Sequence, residues 1–176
     1  MILYDLCCSF GSEIWKQAAH KQKIELRTYT SAMMDTPQKK QEILKDIQRA
    51  SQNGKVVLLF SSHGMDKELE DFFKILPTNI CVLPIGADAI LLNRGSVDAK
   101  HVTRINEYQS YSGEENVFRM MAYIRKYLFE DPTAPIPLEP IKMPFDGIYS
   151  LVNNQVYYDI SSFLEAQDKK FDNYVG

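Results

Sequence analysis

Val56-Val57-Leu58-Leu59-Phe60 decides the fold. The run is apolar throughout, with Asn53-Gly54 just ahead of it and Ser61-Ser62-His63-Gly64 turning the chain behind it. Such a strand has no face to spare for water, as expected at the centre of a parallel sheet covered by helices on both sides. Two further apolar runs flank it. Ile2 to Cys8 is an apolar run ended by Ser9-Phe10-Gly11-Ser12, and Ile80 to Ile85 is a second, closed by Gly86. A fourth segment has a different rhythm: Ile24, Leu26 and Thr28 alternate with Glu25, Arg27 and Tyr29, the pattern of a strand with one exposed side.

Helical spacing fills the gaps between these strands. Trp15, Ala18 and Ala19 share a face after the first strand. Thr36-Pro37 offers a helix start, with Thr as cap and Pro in the first turn where its missing N–H costs nothing. Ile43, Ile47 and Ala50 line the buried side of that helix, and Asn53-Gly54 stops it. Leu69, Phe72, Phe73 and Leu76 repeat at helical intervals after the third strand. A further helix is predicted from near Val102 to about Ser110. Ser112-Gly113-Glu114-Glu115 then offers a capping box in which Ser112 and Glu115 satisfy each other's backbone donors. The helix it opens carries Val117, Met120, Met121, Ile124 and Leu128 on one face. Strand–helix alternation with right-handed crossovers predicts a flavodoxin-like α/β domain: an open parallel sheet of four strands, order about 2-1-3-4, with helices on both faces.

Composition sets the outer limits. The chain has 176 residues, 45% hydrophobic and 24% charged, with eight Gly and eight Pro, which is ordinary for a globular domain and excludes collagen-like, disordered or disulfide-scaffold classes. Net charge is −3 with no basic block, so no nucleic-acid partner is implied. No apolar run approaches the roughly 20 residues of a membrane span, and the N-terminus lacks a signal-peptide pattern. Three cysteines without a CxxC fit a reduced, cytoplasmic compartment. Five prolines crowd between Pro132 and Pro144. The expected organisation is therefore an α/β domain over 1–130, a stiff proline-rich connector over 131–145, and a tail over 146–176 leading to a downstream domain. The tail carries a strand at Gln155 to Tyr158 and a short helix around Ile160 to Ala166.

Ligands of open parallel sheets sit at the carboxyl ends of the strands. The candidate ligand-binding residues are accordingly Ser9, Gly11 and Ser12 after the first strand, Ser61, Ser62 and His63 after the third, and Gly86 after the fourth. Hydroxyls, a glycine and a helix N-terminus at Ser9–Ser12 could hold a small anion through backbone N–H groups, although a plain capped turn accounts for the same residues. Ser62 beside His63 is not a catalytic dyad, which is a spatial arrangement that needs an orienting acid. A phosphate-receiver chemistry would need an acid after the third strand, where Ser61-Ser62-His63 stands. Cys7, Cys8, His20, His63, Cys81 and His101 lack the short paired spacings of a zinc site, so no metal ligand and no catalytic residue is assigned. The cysteines read as small buried hydrophobes.

The second half of the chain carries a resemblance. Tyr111-Ser112-Gly113-Glu114-Glu115-Asn116-Val117, running into Met120-Met121-Ala122-Tyr123-Ile124, resembles a segment of cobaltochelatase large subunits (CobN) and the related magnesium chelatase H subunits. There a Gly-rich turn, a Glu and an Asn open an apolar helix, a proline-rich stretch follows, and Gly-Ile-Tyr-His-Pro comes next. Gly147-Ile148-Tyr149 match that last motif, and Ser150-Leu151 replace its His-Pro. Matching positions are thus Gly113, Glu115, Asn116, Gly147, Ile148 and Tyr149. For Gly113, Glu115 and Asn116, a capped helix start explains the residue types without any ligand.

The resemblance implies the N-terminal region of a much longer subunit that inserts a divalent metal into a tetrapyrrole in cobalamin biosynthesis, cobalt being favoured. Its implied partners are the rest of the large subunit, AAA-type ATPase subunits and the tetrapyrrole. The whole complex would use ATP, Mg²⁺ and Co²⁺, while this chain binds no cofactor and is inactive alone. Two rivals stand beside it: a stand-alone module binding a small anion at the strand ends, and an interaction domain docking through the Met120/Met121 helix or the proline segment.

Overall fold

The computed structural model describes residues 1–6, 13–61, 74, 76–77, 79–85, 96–111, 113–142, 147–150 and 155–166. The chain divides into two units, Met1–Ile141 and Lys142–Gly176. Strands β1 (Ile2–Leu6), β2 (Glu25–Thr28), β3 (Val56–Ser61) and β4 (Cys81–Ile85) form one parallel sheet in the first unit, ordered β2-β1-β3-β4 as the sequence predicts. Leu3 lies opposite Leu26 on one side and Val57 on the other, and Leu58 lies opposite Val82.

Alternation along the strands divides the core into two layers. Leu3, Val57, Leu59 and Leu83 pack against three helices: α1 (Glu13–Lys21), α3 (Ala99–Ser110) and α4 (Glu114–Tyr123). Tyr4, Leu6, Leu58 and Phe60 pack against α2 (Pro37–Asn53) through Ile43, Ile47 and Ala50. Every residue from Val57 to Phe60 is fully buried, which is why the deciding run has no polar position.

The two edges are protected differently. β2 is four residues long and charged at Glu25 and Arg27, which discourages pairing with another strand. β4 is apolar, and Ser96 closes its outer side. The Val82 N–H donates to Ser96 Oγ (2.8 Å), the Ser96 N–H donates to the Val82 carbonyl (3.0 Å), and Ser96 Oγ donates to the Ile80 carbonyl (3.1 Å). Pro84 shares Val82's side of the strand, so its missing N–H falls on that outer edge, where a sheet tolerates proline.

Helix ends follow local chemistry. Thr36 Oγ1 accepts from the Lys39 N–H with Pro37 in the first turn, as predicted. α3 begins at Ala99, earlier than the expected Val102, because Asp98 caps it by accepting from the Lys100 N–H. The expected capping box does not open α4. Gly113, at φ +82, is the cap and supplies no side chain, so Glu115 falls at the second helical position and accepts instead from Arg119 one turn on (3.0 Å). Ser112 lies outside the described residues.

After Tyr123 the helix widens into a π-turn over Ile124–Leu128, closed by the Phe129 N–H on the Ile124 carbonyl (2.9 Å). Met120, Met121, Ile124 and Leu128 of the expected apolar face are buried. Glu130 ends the turn at φ +56, a left-handed conformation that costs a residue with a Cβ about 1 kcal/mol.

The second unit holds an antiparallel pair, β5 (Ile148–Ser150) and β6 (Gln155–Tyr157), and the short helix α5 (Ile160–Glu165), capped by Asp159. β6 and α5 match the expected strand and helix to within a residue. The helix expected around Leu69 to Leu76 lies almost wholly outside the described residues.

Candidate functional site

The order β2-β1-β3-β4 puts the topological switch between β1 and β3. Crossovers leave in opposite directions there, and parallel sheets open a crevice at the carboxyl ends. Leu6 lies opposite Phe60 at that end. In the sequence Ser9, Gly11 and Ser12 follow β1, Ser62 and His63 follow β3, and Gly86 follows β4. All six lie outside the described residues. Ser61 is the last residue of β3, opposite Ile85.

Asp5 is a residue that sequence reasoning passed over. It sits one position from the carboxyl end of β1, between Thr28 and Leu59, and is fully buried. A buried carboxylate costs several kcal/mol unless its surroundings compensate it. The available signal was an acid inside an otherwise apolar strand next to the switch point.

A cavity of about 320 Å³ opens at the opposite end of the sheet, where Lys55, Cys81, Asp98, His101, Tyr127 and Glu130 meet. Its polar groups hold one another. Lys55 pairs with Glu130 (2.9 Å), Asp98 caps α3, and His101 Nδ1 meets the Tyr123 hydroxyl at 2.8 Å. Burial, with Lys100 nearby, moves the His101 imidazole below its ordinary value, so it is neutral near pH 7. Burial pushes the Cys81 thiol up, which disfavours the reactive thiolate. No group of three or more His, Cys, Asp or Glu among the described residues is placed to hold a metal ion. No helix among them is long and apolar enough to cross a membrane.

The motif residues do something more definite. Asn116 is buried at 3% exposure, and its side-chain amide brackets Ile141: Nδ2 donates to the Ile141 carbonyl (2.9 Å) and Oδ1 accepts from the Ile141 N–H (2.8 Å). Two neighbouring side chains act alike, the Tyr108 hydroxyl donating to the Leu138 carbonyl (2.6 Å) and Arg119 to the Glu139 carbonyl (2.6 Å). Lys126 donates to the Ala134 carbonyl (2.9 Å), and Arg104 pairs with Glu139. Asp131, at the head of the segment, accepts from the Thr133 hydroxyl (2.7 Å) and from Arg125 (2.8 Å), which together bring its carboxyl down to about 2. Asn116 fastens the proline segment and does not cap the helix.

In the second unit, Gly147 precedes β5 where a Cβ would collide with Val156 Cγ1 and approach the Tyr157 carbonyl oxygen to 3.1 Å, so the glycine is required by close passage of β6. Ile148 lies opposite Tyr157, and Tyr149 opposite Val156.

A polar node on the α2 side of the sheet left no local motif. Asp46 Oδ2 accepts from Arg27 (2.6 Å), the Tyr4 hydroxyl (2.7 Å) and the Tyr29 hydroxyl (3.3 Å). Burial alone would raise the Asp46 carboxyl, but these donors outweigh it and hold it below the usual carboxylate range. Burial, reinforced by Asp46, raises both tyrosines. The node ties edge strand β2 to α2.

No family model matches the chain. No curated protein matches it either. Among solved structures it is similar to the catalytic subunit of cobaltochelatase from Mycobacterium tuberculosis, with a TM-score of 0.54 and 15% sequence identity, over 81% of this chain and 11% of that one. At that identity the likeness is one of fold: this chain has the architecture of about a tenth of that subunit.

Proposed function

We propose that this chain is the N-terminal α/β domain of a cobaltochelatase-type large subunit. Through that subunit it takes part in ATP-dependent insertion of a divalent metal, cobalt by preference, into a tetrapyrrole during cobalamin biosynthesis. The observation that carries the reading is the shared architecture over 81% of this chain with part of a much longer catalytic subunit. The Gly113-Glu114-Glu115-Asn116 and Gly147-Ile148-Tyr149 motifs support it independently, since they rest on residue identity and not on architecture.

Metal insertion asks the protein to hold and distort the ring while pyrrole protons leave and the metal sheds its water. In this reading the metal and the ring are substrates handled by the whole subunit. ATP and Mg²⁺ belong to AAA-type partners, and this domain contributes position and not chemistry. The domain organisation follows: an α/β body over 1–130, a connector over 131–145, and a tail over 146–176 leading onward.

The test is to capture the native polypeptide from its source cells with an antibody raised against this chain. Its size is measured, and cobalt insertion is assayed with ATP, Mg²⁺ and the co-purified ATPase subunits. A polypeptide far larger than 20.3 kDa that inserts cobalt only with ATP is the expected result. A 20.3 kDa polypeptide, or a large one with no insertion activity, overturns the reading.

A further inference from the structure

We propose that the strip from Asp131 to Ile141 is a preformed docking element whose occupant is an apolar groove on the part of the large subunit outside these 176 residues. The inference rests on the chelatase reading and adds to it the surface through which this domain is held.

The strip has no helix or strand, yet it is firmly placed. Its fastenings are made mostly to its backbone: Lys126 on the Ala134 carbonyl, Tyr108 on that of Leu138, Arg119 on that of Glu139, and Asn116 on both backbone groups of Ile141. Its apolar side chains are left out. Ile136 is 79% exposed, Leu138 63% and Ile141 40%. A mere connector would not need a fully buried tyrosine and a buried asparagine to hold its main chain. A surface that must be presented in one conformation does, because ordering it beforehand removes that entropy cost from binding.

The composition of the strip specifies its occupant. Pro135, Pro137 and Pro140 preset an extended backbone and remove half of the N–H donors between positions 135 and 140. A partner therefore cannot add as a strand and must read side chains. Exposed Ile136 and Leu138 and the Pro137-Leu138-Glu139-Pro140 spacing suit a groove lined by aromatic and aliphatic side chains, the mode by which proline-rich segments are recognised. The solved subunit of matching fold is a chain of which this one covers 11%, so in the chelatase reading most of the polypeptide lies outside these residues and has to be met by some face of the domain.

The experiment compares amide hydrogen exchange at positions 134–141 in the native large polypeptide and in the 176-residue chain. An Ile136→Ser/Leu138→Ser variant of each is made alongside. Expected are at least about tenfold slower exchange of the strip in the large polypeptide, loss of that protection in the double variant, and release of the domain to limited proteolysis. The 176-residue double variant keeps its melting temperature, since both side chains are exposed. Equal exchange of the strip in both wild-type forms overturns the proposal without any variant. Self-association of the 176-residue chain that the double variant abolishes also overturns it, in favour of a second copy as occupant. Failure of the underlying reading looks different: the native polypeptide is then 20.3 kDa or inserts no metal. A large, active polypeptide with an unprotected strip removes the docking element alone.

Discussion

The sheet and the strip solve the same problem in opposite ways. Both are extended chain whose N–H and carbonyl groups need partners. In β1 and β3 the partners are other backbones on both sides, and the side chains are free to build the core on both faces. In Asp131–Ile141 prolines have removed donors, and beyond the turn at Asp131–Ala134 the partners are side chains projected from α3 and α4, while Lys126 of the π-turn holds the Ala134 carbonyl. The energetic consequences differ. A side chain replaced in the sheet leaves its ladder intact and acts through packing. A single side chain replaced on α4 removes a strip's backbone partner outright.

The largest effect expected from that contrast is in the sheet. Leu59 is fully buried in β3, and Leu59→Ala should cost about 2–5 kcal/mol through lost burial and the cavity left behind. Chemical denaturation measures the loss, and amide exchange should speed up throughout the first unit, strip included. A loss under about 1 kcal/mol would mean that the central strand is less tightly packed than its burial indicates.

Asn116→Ala is the matching substitution for the strip. It removes two hydrogen bonds and leaves the Ile141 N–H and carbonyl without their bracket, for about 1–3 kcal/mol. Exchange should accelerate at Ile141 and its neighbours while the β3 amides stay protected. Asn116→Asp is nearly isosteric and should fail as well, because a carboxylate can accept from the Ile141 N–H but cannot donate to its carbonyl. Uniform loosening of the sheet in either variant would erase the distinction between the two regions.

The same contrast explains what could be read from the sequence. Sheet order followed from apolar runs and crossover handedness, because a strand buried on both faces leaves a one-dimensional trace, as Val56 to Phe60 does. The start of α2 was legible because Thr36-Pro37 is a local signal. The cap of α4 falls one position beyond the expected one, since nothing local separates a Ser112 cap from a Gly113 cap. The prolines announced an extended segment at 131–145 but not its fastening. Asn116 lies 25 residues from Ile141 and Tyr108 lies 30 from Leu138, and no periodicity connects them. Asp46, Arg27 and Tyr4 were invisible for the same reason. Asn116 and Gly147 were named from their motifs, though not for the contacts they make, and Asp5 was in reach as an acid inside a strand.

A smaller effect sharpens the comparison at the edge of the sheet, where β2 is held by side chains as the strip is. The Asp46 carboxyl is held below its ordinary value in the folded state, so it contributes stability above about pH 4 that is lost as pH falls through the depressed folded value. Asp46→Asn should therefore be less stable near neutrality, by about 1–2 kcal/mol for the weakened bonds to Arg27 and Tyr4. It should also unfold with a flatter pH dependence below pH 4 than the parent. Parallel acid-unfolding curves for the two proteins would show that Asp46 does not couple the node to stability.

The smallest effect is a change in one titration. Asp131 opens the strip with its carboxyl at about 2, lowered first by the Thr133 hydroxyl and next by Arg125. Its contribution is present above the ordinary carboxylate value and is lost as pH falls from there through about 2. Thr133→Ala and Arg125→Met should each move the Asp131 midpoint upward, as followed by side-chain carboxyl NMR. Because both variants leave the Asn116 bracket in place, Ile141 exchange should be unchanged in each. If Thr133→Ala instead released Ile141, the strip would be held as one cooperative unit and not at separate points along its length. Its two ends would then share one free energy of opening, as paired strands of the sheet do.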